Sequence, residues 1–207
     1  MIKKPQGYDE AQAYTGEGMG LPAGCYVCEI LGAIEETYNG RERFVMQFDI
    51  AEGECKGFYQ QQFKSAKERN VNAKYKGEYR QVMDGSSVPF FKGLITSIEK
   101  SNPGYSFPWN LEGNEKTLRG KKFGAVMGRE QFLTNDREKR FTTKIFQIRS
   151  LEGLKDAKIP EDKLLTEEDI ARWDREHGVQ QKASDPALAA DGFMSIPDGV
   201  DEELPFM

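Results

Sequence analysis

The chain has 207 residues, 38% of them apolar, and carries 29 Lys and Arg against 34 Asp and Glu. That length suits one sizeable domain with a tail, or two small ones, and the apolar content can fill a core. No apolar run approaches membrane-spanning length, and the start, Met1 to Gly7, lacks the hydrophobic stretch of a secretory signal. A membrane partner is therefore not expected, and the cytoplasm is the expected compartment.

The net charge of -5 hides an asymmetry. Residues 1–155 carry 24 Lys and Arg against 20 Asp and Glu, a net of +4; residues 156–207 carry 5 against 14, a net of -9. A mildly basic body with an acidic tail fits a polyanionic ligand on the body and a protein ligand on the tail. Three cysteines, Cys25, Cys28 and Cys55, are an odd number and argue against a disulfide framework. Cys25 and Cys28 lie three apart in a strand-like run, so they point to opposite faces. The single histidine, His177, is remote from them. No metal and no cofactor are expected.

Residues 1–22 are polar and glycine-rich and read as a flexible arm. Cys25 to Thr37 reads as a long, bent strand with Gly32 as a bulge, and Asn39-Gly40 as a hairpin turn. Arg43 to Ile50 alternates, with Phe44, Met46, Phe48 and Ile50 on one face. Lys56 to Phe63 reads as a third strand, with Tyr59, Gln61 and Phe63 on one side. A helical insert follows over about 64–100. Its first part, near Glu68–Met83, is interrupted by Gly77; its second is a helix started by Pro89, with Phe91, Leu94, Ile95 and Ile98 on one face, ended by Asn102-Pro103-Gly104. Residues 103–117 form an aromatic loop. Strand character returns at Leu118–Leu133 and Arg140–Ser150, a second hairpin joined by a polar turn. Thr166 with Asp169 marks the cap of a short helix running to about His177, within 161–180. Residues 181–207 read as a disordered acidic tail.

Three strands, a helical segment and a closing hairpin predict a mainly β fold: an OB-fold, a five-stranded Greek-key barrel, over residues 23–160. Such barrels bind oligonucleotides or oligosaccharides across the strand 2–3 face and nearby loops. The candidate contacts are Tyr38, Arg41 and Arg43 at the first hairpin tip, and Lys56, Tyr59 and Lys64 on or beside the expected third strand. The last hairpin adds Lys121, Lys122, Phe123, Arg129, Phe132, Arg137, Lys139, Arg140 and Lys144. Residues 119–149 hold nine Lys and Arg against three acids. Cations track phosphates, and flat rings stack on exposed bases for about 1–3 kcal/mol per base whatever the sequence. No donor cluster suited to reading a duplex groove stands out. Each of these residues also has a plainer use, the rings as core and the cations as solvated surface.

Catalysis is not expected. His177 stands alone, no cysteine has a histidine nearby, and no serine sits in a nucleophile turn. The acidic pairs are adjacent rather than convergent across a cleft.

The chain ends Asp201-Glu202-Glu203-Leu204-Pro205-Phe206-Met207. Acids keep such a segment solvated, Pro205 bars a helix or central strand, and Phe206 is left for another surface to bury. A predicted OB barrel, a low-complexity linker and this acidic tip resemble bacterial single-stranded DNA-binding proteins. The segments Ala23-Gly24-Cys25-Tyr26, Gly53-Glu54-Cys55-Lys56-Gly57, Leu118-Arg119-Gly120-Lys121-Lys122-Phe123 and Lys144-Ile145-Phe146-Gln147-Ile148 resemble a phage-encoded group described as a domain of unknown function. That group is thought to supply single-strand binding in phage replication and recombination. The resemblance implies a non-enzymatic protein that coats single-stranded DNA, or RNA, and recruits replication and recombination proteins through Asp201, Glu202, Glu203, Leu204, Pro205 and Phe206. Here Met207 follows the phenylalanine that ends the bacterial tip. The alternative is a protein–protein interaction module of a phage or mobile element. Oligomeric state stays open, a homodimer included.

Overall fold

The computed structural model describes residues 3–5 and 20–177, which fall into two units, one through Thr166 and one from Glu167. The arm expected over residues 1–22 and the acidic tail with its tip lie mostly or wholly outside the described residues. The first unit is built on a five-stranded antiparallel sheet with helices.

Strands β1 (Gly24–Tyr38) and β2 (Arg41–Ile50) form the first hairpin. Asn39 and Gly40 both take positive φ, 50° and 73°, which suits a two-residue turn whose twist matches the strands. The pairing register shifts between Ile30 and Gly32, a bulge that bends β1. The inner half of β1 also pairs along its other edge with β4 (Lys122–Leu133), so Cys28 stands between Ile50 and Phe123. β5 (Lys139–Arg149) pairs with β4 as the second hairpin, and β3 (Glu78–Val82) pairs with β2.

The sheet order is β3-β2-β1-β4-β5. Its first four members have the Greek-key order, in which a fourth strand returns beside the first. Among the described residues no ladder joins β3 to β5, so the sheet is open. The arrangement is mainly β and compatible with an OB-like fold.

The core lies on one face of the sheet. Phe44, Met46, Phe48 and Ile50 of β2, Cys28 and Ile30 of β1, and Phe123, Ala125 and Met127 of β4 meet Leu94, Ile95 and Ile98 of α2 (Val88–Ser101). Pro89 sits in the first turn of α2, where its missing N–H costs nothing. Asn102 ends the helix and ties it to the sheet. Its side-chain Nδ2 donates to the Ile98 and Lys122 carbonyls at 2.7 and 2.8 Å, and its Oδ1 accepts from Lys122 N at 3.0 Å.

Two sequence expectations fail between residues 56 and 83. The segment expected as the third strand is helix α1 (Phe58–Arg69), and the helix expected near Glu68–Met83 is replaced by an irregular segment and β3. The cause of the first failure lies elsewhere in the chain. The buried Asp49 on β2 accepts from the N–H groups of Tyr59 (3.0 Å) and Gln60 (2.9 Å). It caps α1 from outside, satisfying donors that a helix N-terminus leaves open. The second failure turns on Gly77. Its carbonyl accepts from Phe48 N at 2.8 Å. A Cβ there would collide with the Phe48 carbonyl oxygen and stand 2.8 Å from the Tyr75 ring. Close backbone approach, not helix interruption, accounts for this glycine.

The second unit contributes α3 (Glu167–Glu176) among the described residues. Glu167, Glu168 and Asp169 occupy its first turn, where acids complement the helix dipole. His177 stacks on Trp173 with ring centroids 4.0 Å apart.

Candidate nucleic-acid interface

The β1–β2 tip gathers its three predicted residues on one side of the hairpin. Glu36 stands opposite Arg43 and Tyr38 opposite Arg41, and such facing pairs share a face. Tyr38 is 56% exposed, and the Arg43 guanidinium lies 4.3 Å from its ring centroid. Arg43 Nε donates to Glu36 at 2.8 Å. Arg41 pairs with Asp84; their hydrogen bond holds the Asp84 carboxyl below the usual carboxylate range and raises the guanidinium.

The β4–β5 hairpin, the most basic stretch by sequence, divides its predicted residues between two faces. Arg129 and Gln131 share a face with Thr143 and Phe141; Phe132 shares the other with Arg140, together with Glu130 and Lys144. Most of its cations already have carboxylate partners. Arg129 pairs with Asp162 while lying 4.9 Å from the Phe141 ring centroid. Arg140 pairs with Glu138 at 2.7 Å. Glu130 bridges Lys144 and Lys163 at 2.6 and 2.7 Å. Hydrogen bonds from Lys144 and then Lys163 lower the Glu130 pKa. Phe132 and Phe141 are 39% and 43% exposed and available to a flat ligand. Arg137 and Lys139 stand exposed at the hairpin end.

At the start of β4, the Lys121 ammonium lies 4.5 Å from the Tyr105 ring centroid. Lys122 donates to Glu52 at 2.7 Å, which raises its pKa.

Two predicted stacking residues are corrected. Phe123 has no exposed surface and packs edge-on to Phe48 with centroids 5.8 Å apart. Tyr59 is buried on α1, edge-on to the same ring at 5.3 Å, and burial raises its pKa. Both are core anchors, because each points from its element toward the β2 apolar face. Lys56 and Lys64 are exposed, but on a turn and on α1 rather than on a strand.

A recess that the sequence reading missed lies beside them. It has a volume of about 680 Å³ and runs between α1 and the segment approaching β3. Lys56, Arg69, Lys74 and Lys76 line it against one carboxylate, Glu54. Phe58 and Phe63 supply half-buried rings. The sequence signal was the run Lys67 to Gly77, rich in Lys and Arg, which hairpin-centred reading passed over.

Among the described residues no group of three or more His, Cys, Asp or Glu could hold a metal ion, and no helix is long and apolar enough to cross a membrane. Cys25 is exposed and Cys28 buried, on opposite faces as their spacing predicts. Neither a protein-family model nor a curated protein matches the chain.

Proposed function

We propose that this chain is an OB-type, non-enzymatic single-stranded DNA-binding protein. It coats strands during replication or recombination in the cytoplasm, in the manner of the phage group it resembles. One observation carries the reading: three cations lie against aromatic rings at the sheet's ends, Arg43 on Tyr38, Arg129 on Phe141 and Lys121 on Tyr105. Each pairing places a cation beside a ring able to meet a base, the combination that sequence-tolerant strand binding needs; Lys121 makes no ion pair among the described residues, whereas Arg43 and Arg129 share their charge with Glu36 and Asp162. The tip from Asp201 to Phe206 then serves to recruit partner enzymes.

Fluorescence-anisotropy titration with labelled oligo-dT at two salt concentrations tests this. Binding that weakens steeply with salt is expected. Absence of binding at low salt refutes the reading.

An exposed apolar surface favours a second reading, a protein-binding module. Phe90 on the first turn of α2 is 70% exposed, and Trp109 in the loop beyond it is 60% exposed while packing edge-on to Phe91. Exposed large rings of this kind mark interaction surfaces. That reading gains if oligo-dT fails to bind.

A further inference from the structure

We infer that the recess between α1 and the segment leading into β3 is where the phosphates of the bound strand run, a deepening that rests on the single-strand reading above. The electrostatic contrast is the first reason. The β4–β5 cations Arg129, Arg140 and Lys144 are each held by a carboxylate. Lys56, Lys74 and Lys76 make no ion pair among the described residues, and Arg69 spends its Nε on the Ser65 carbonyl at 3.2 Å. Four cations around one recess repel each other unless an anion enters, and Glu54 offsets one of them. A polyanion entering there displaces no existing ion pair of these lysines.

Placement is the second reason. Lys74 and Lys76 both line the recess, while Tyr75 between them turns to the core and donates its hydroxyl to the Phe48 carbonyl at 2.9 Å. The half-buried, hydrogen-bonded Tyr75 therefore anchors this segment with Lys74 and Lys76, its alternate residues, on the same outward side. The opposite wall is α1, whose N-terminus is held by Asp49. The charges thus sit on a built support. Phe58 and Phe63 at its edge offer rings to bases, which a phosphate-only ligand would not use. A recess of this size between two chain segments suits one strand and not a duplex, whose groove readers present a protruding helix or ribbon.

The test uses the full chain and labelled oligo-dT. The paired variant Lys74→Glu with Lys76→Glu is expected to weaken binding at least tenfold, and the milder Lys74→Gln with Lys76→Gln to lower the slope of log affinity against log salt by about 1.4. The matched hairpin variant, Arg140→Gln with Lys144→Gln, removes two carboxylate-held cations and is expected to change affinity less than about threefold. Unchanged circular dichroism and thermal midpoint in the Gln pair separate lost contacts from lost fold. If wild type binds and both recess variants bind equally well, the recess assignment is overturned and the single-strand function stands. If wild type binds no oligonucleotide at low salt, both are overturned.

Discussion

The β4–β5 hairpin and the α1 recess are both basic, yet they hold their charge differently. The hairpin divides its cations between two faces and ties Arg129, Arg140 and Lys144 to Asp162, Glu138 and Glu130. The recess directs its cations into one space with a single carboxylate among them. Charge density along a sequence is therefore a poor guide to charge available for a ligand. Strand alternation splits neighbours, and ion pairs consume what remains. The supports differ as well. The hairpin stands on its own ladder, whereas the recess depends on one capping carboxylate and one glycine contributed from outside α1.

The largest effect that would break this contrast comes from removing the cap. Asp49→Ala removes the acceptor of the buried Tyr59 N–H and of the part-buried Gln60 N–H. At about 1–3 kcal/mol for the buried Tyr59 donor and less for Gln60, a loss of about 2–3 kcal/mol is expected in urea unfolding, with oligo-dT binding falling alongside. A loss below 1 kcal/mol would show that α1 does not need the cap.

Gly77→Ala comes next. Its methyl must displace the Phe48 carbonyl or the Tyr75 ring, and such overpacking costs about 1–3 kcal/mol. Thermal denaturation checks it, and an unaltered midpoint contradicts the close approach.

Glu130→Gln sharpens the comparison from the other side, by releasing Lys144 from its carboxylate. If the Lys144 ammonium faces the strand, oligo-dT affinity rises by about threefold; if the recess alone carries phosphate, it stays within error. Acid stability follows from the same pair. The folded Glu130 pKa is depressed, so its contribution is present above its unfolded pKa and fades as pH falls through the folded value. Glu130→Gln should therefore flatten the acid limb of a stability–pH profile and lower its neutral and alkaline plateau, the two profiles converging at low pH.

The smallest effect is expected from Phe132→Ala on the exposed hairpin face. Stability should move by less than about 0.5 kcal/mol. Weakened oligonucleotide binding at unchanged stability would place the Phe132 face of the hairpin on the binding path.

Which elements were legible in the sequence follows from where their determinants lie. The first hairpin announced itself through Asn39-Gly40, and α2 through Leu94, Ile95 and Ile98 with Pro89 before them. Each signal is contained in its own element. Residues 56–83 misled because Tyr59, Gln61 and Phe63 alternate as a strand would, while Tyr59, Phe63 and Ala66 equally suit a helix face. Asp49, on another element, decided between them. The sequence placed Tyr38, Arg41 and Arg43 at one hairpin tip, and the strand register puts them on one side of it. The site was misassigned at Phe123 and Tyr59, since a ring beside lysines in sequence can still face the core.

By itself the sequence determined the two hairpins, the amphipathic α2, the mainly β class and the division into a mildly basic body and an acidic end. These rest on local turn chemistry, periodicity and charge counts. Only the tertiary structure decided the open sheet in place of the expected barrel, the conversion of the expected third strand into α1, and which cations remain unpaired. The reason is physical. Each depends on a partner distant in the chain: Asp49 for the α1 N-terminus, Phe48 for Gly77, and Asp162 and Lys163 for the hairpin.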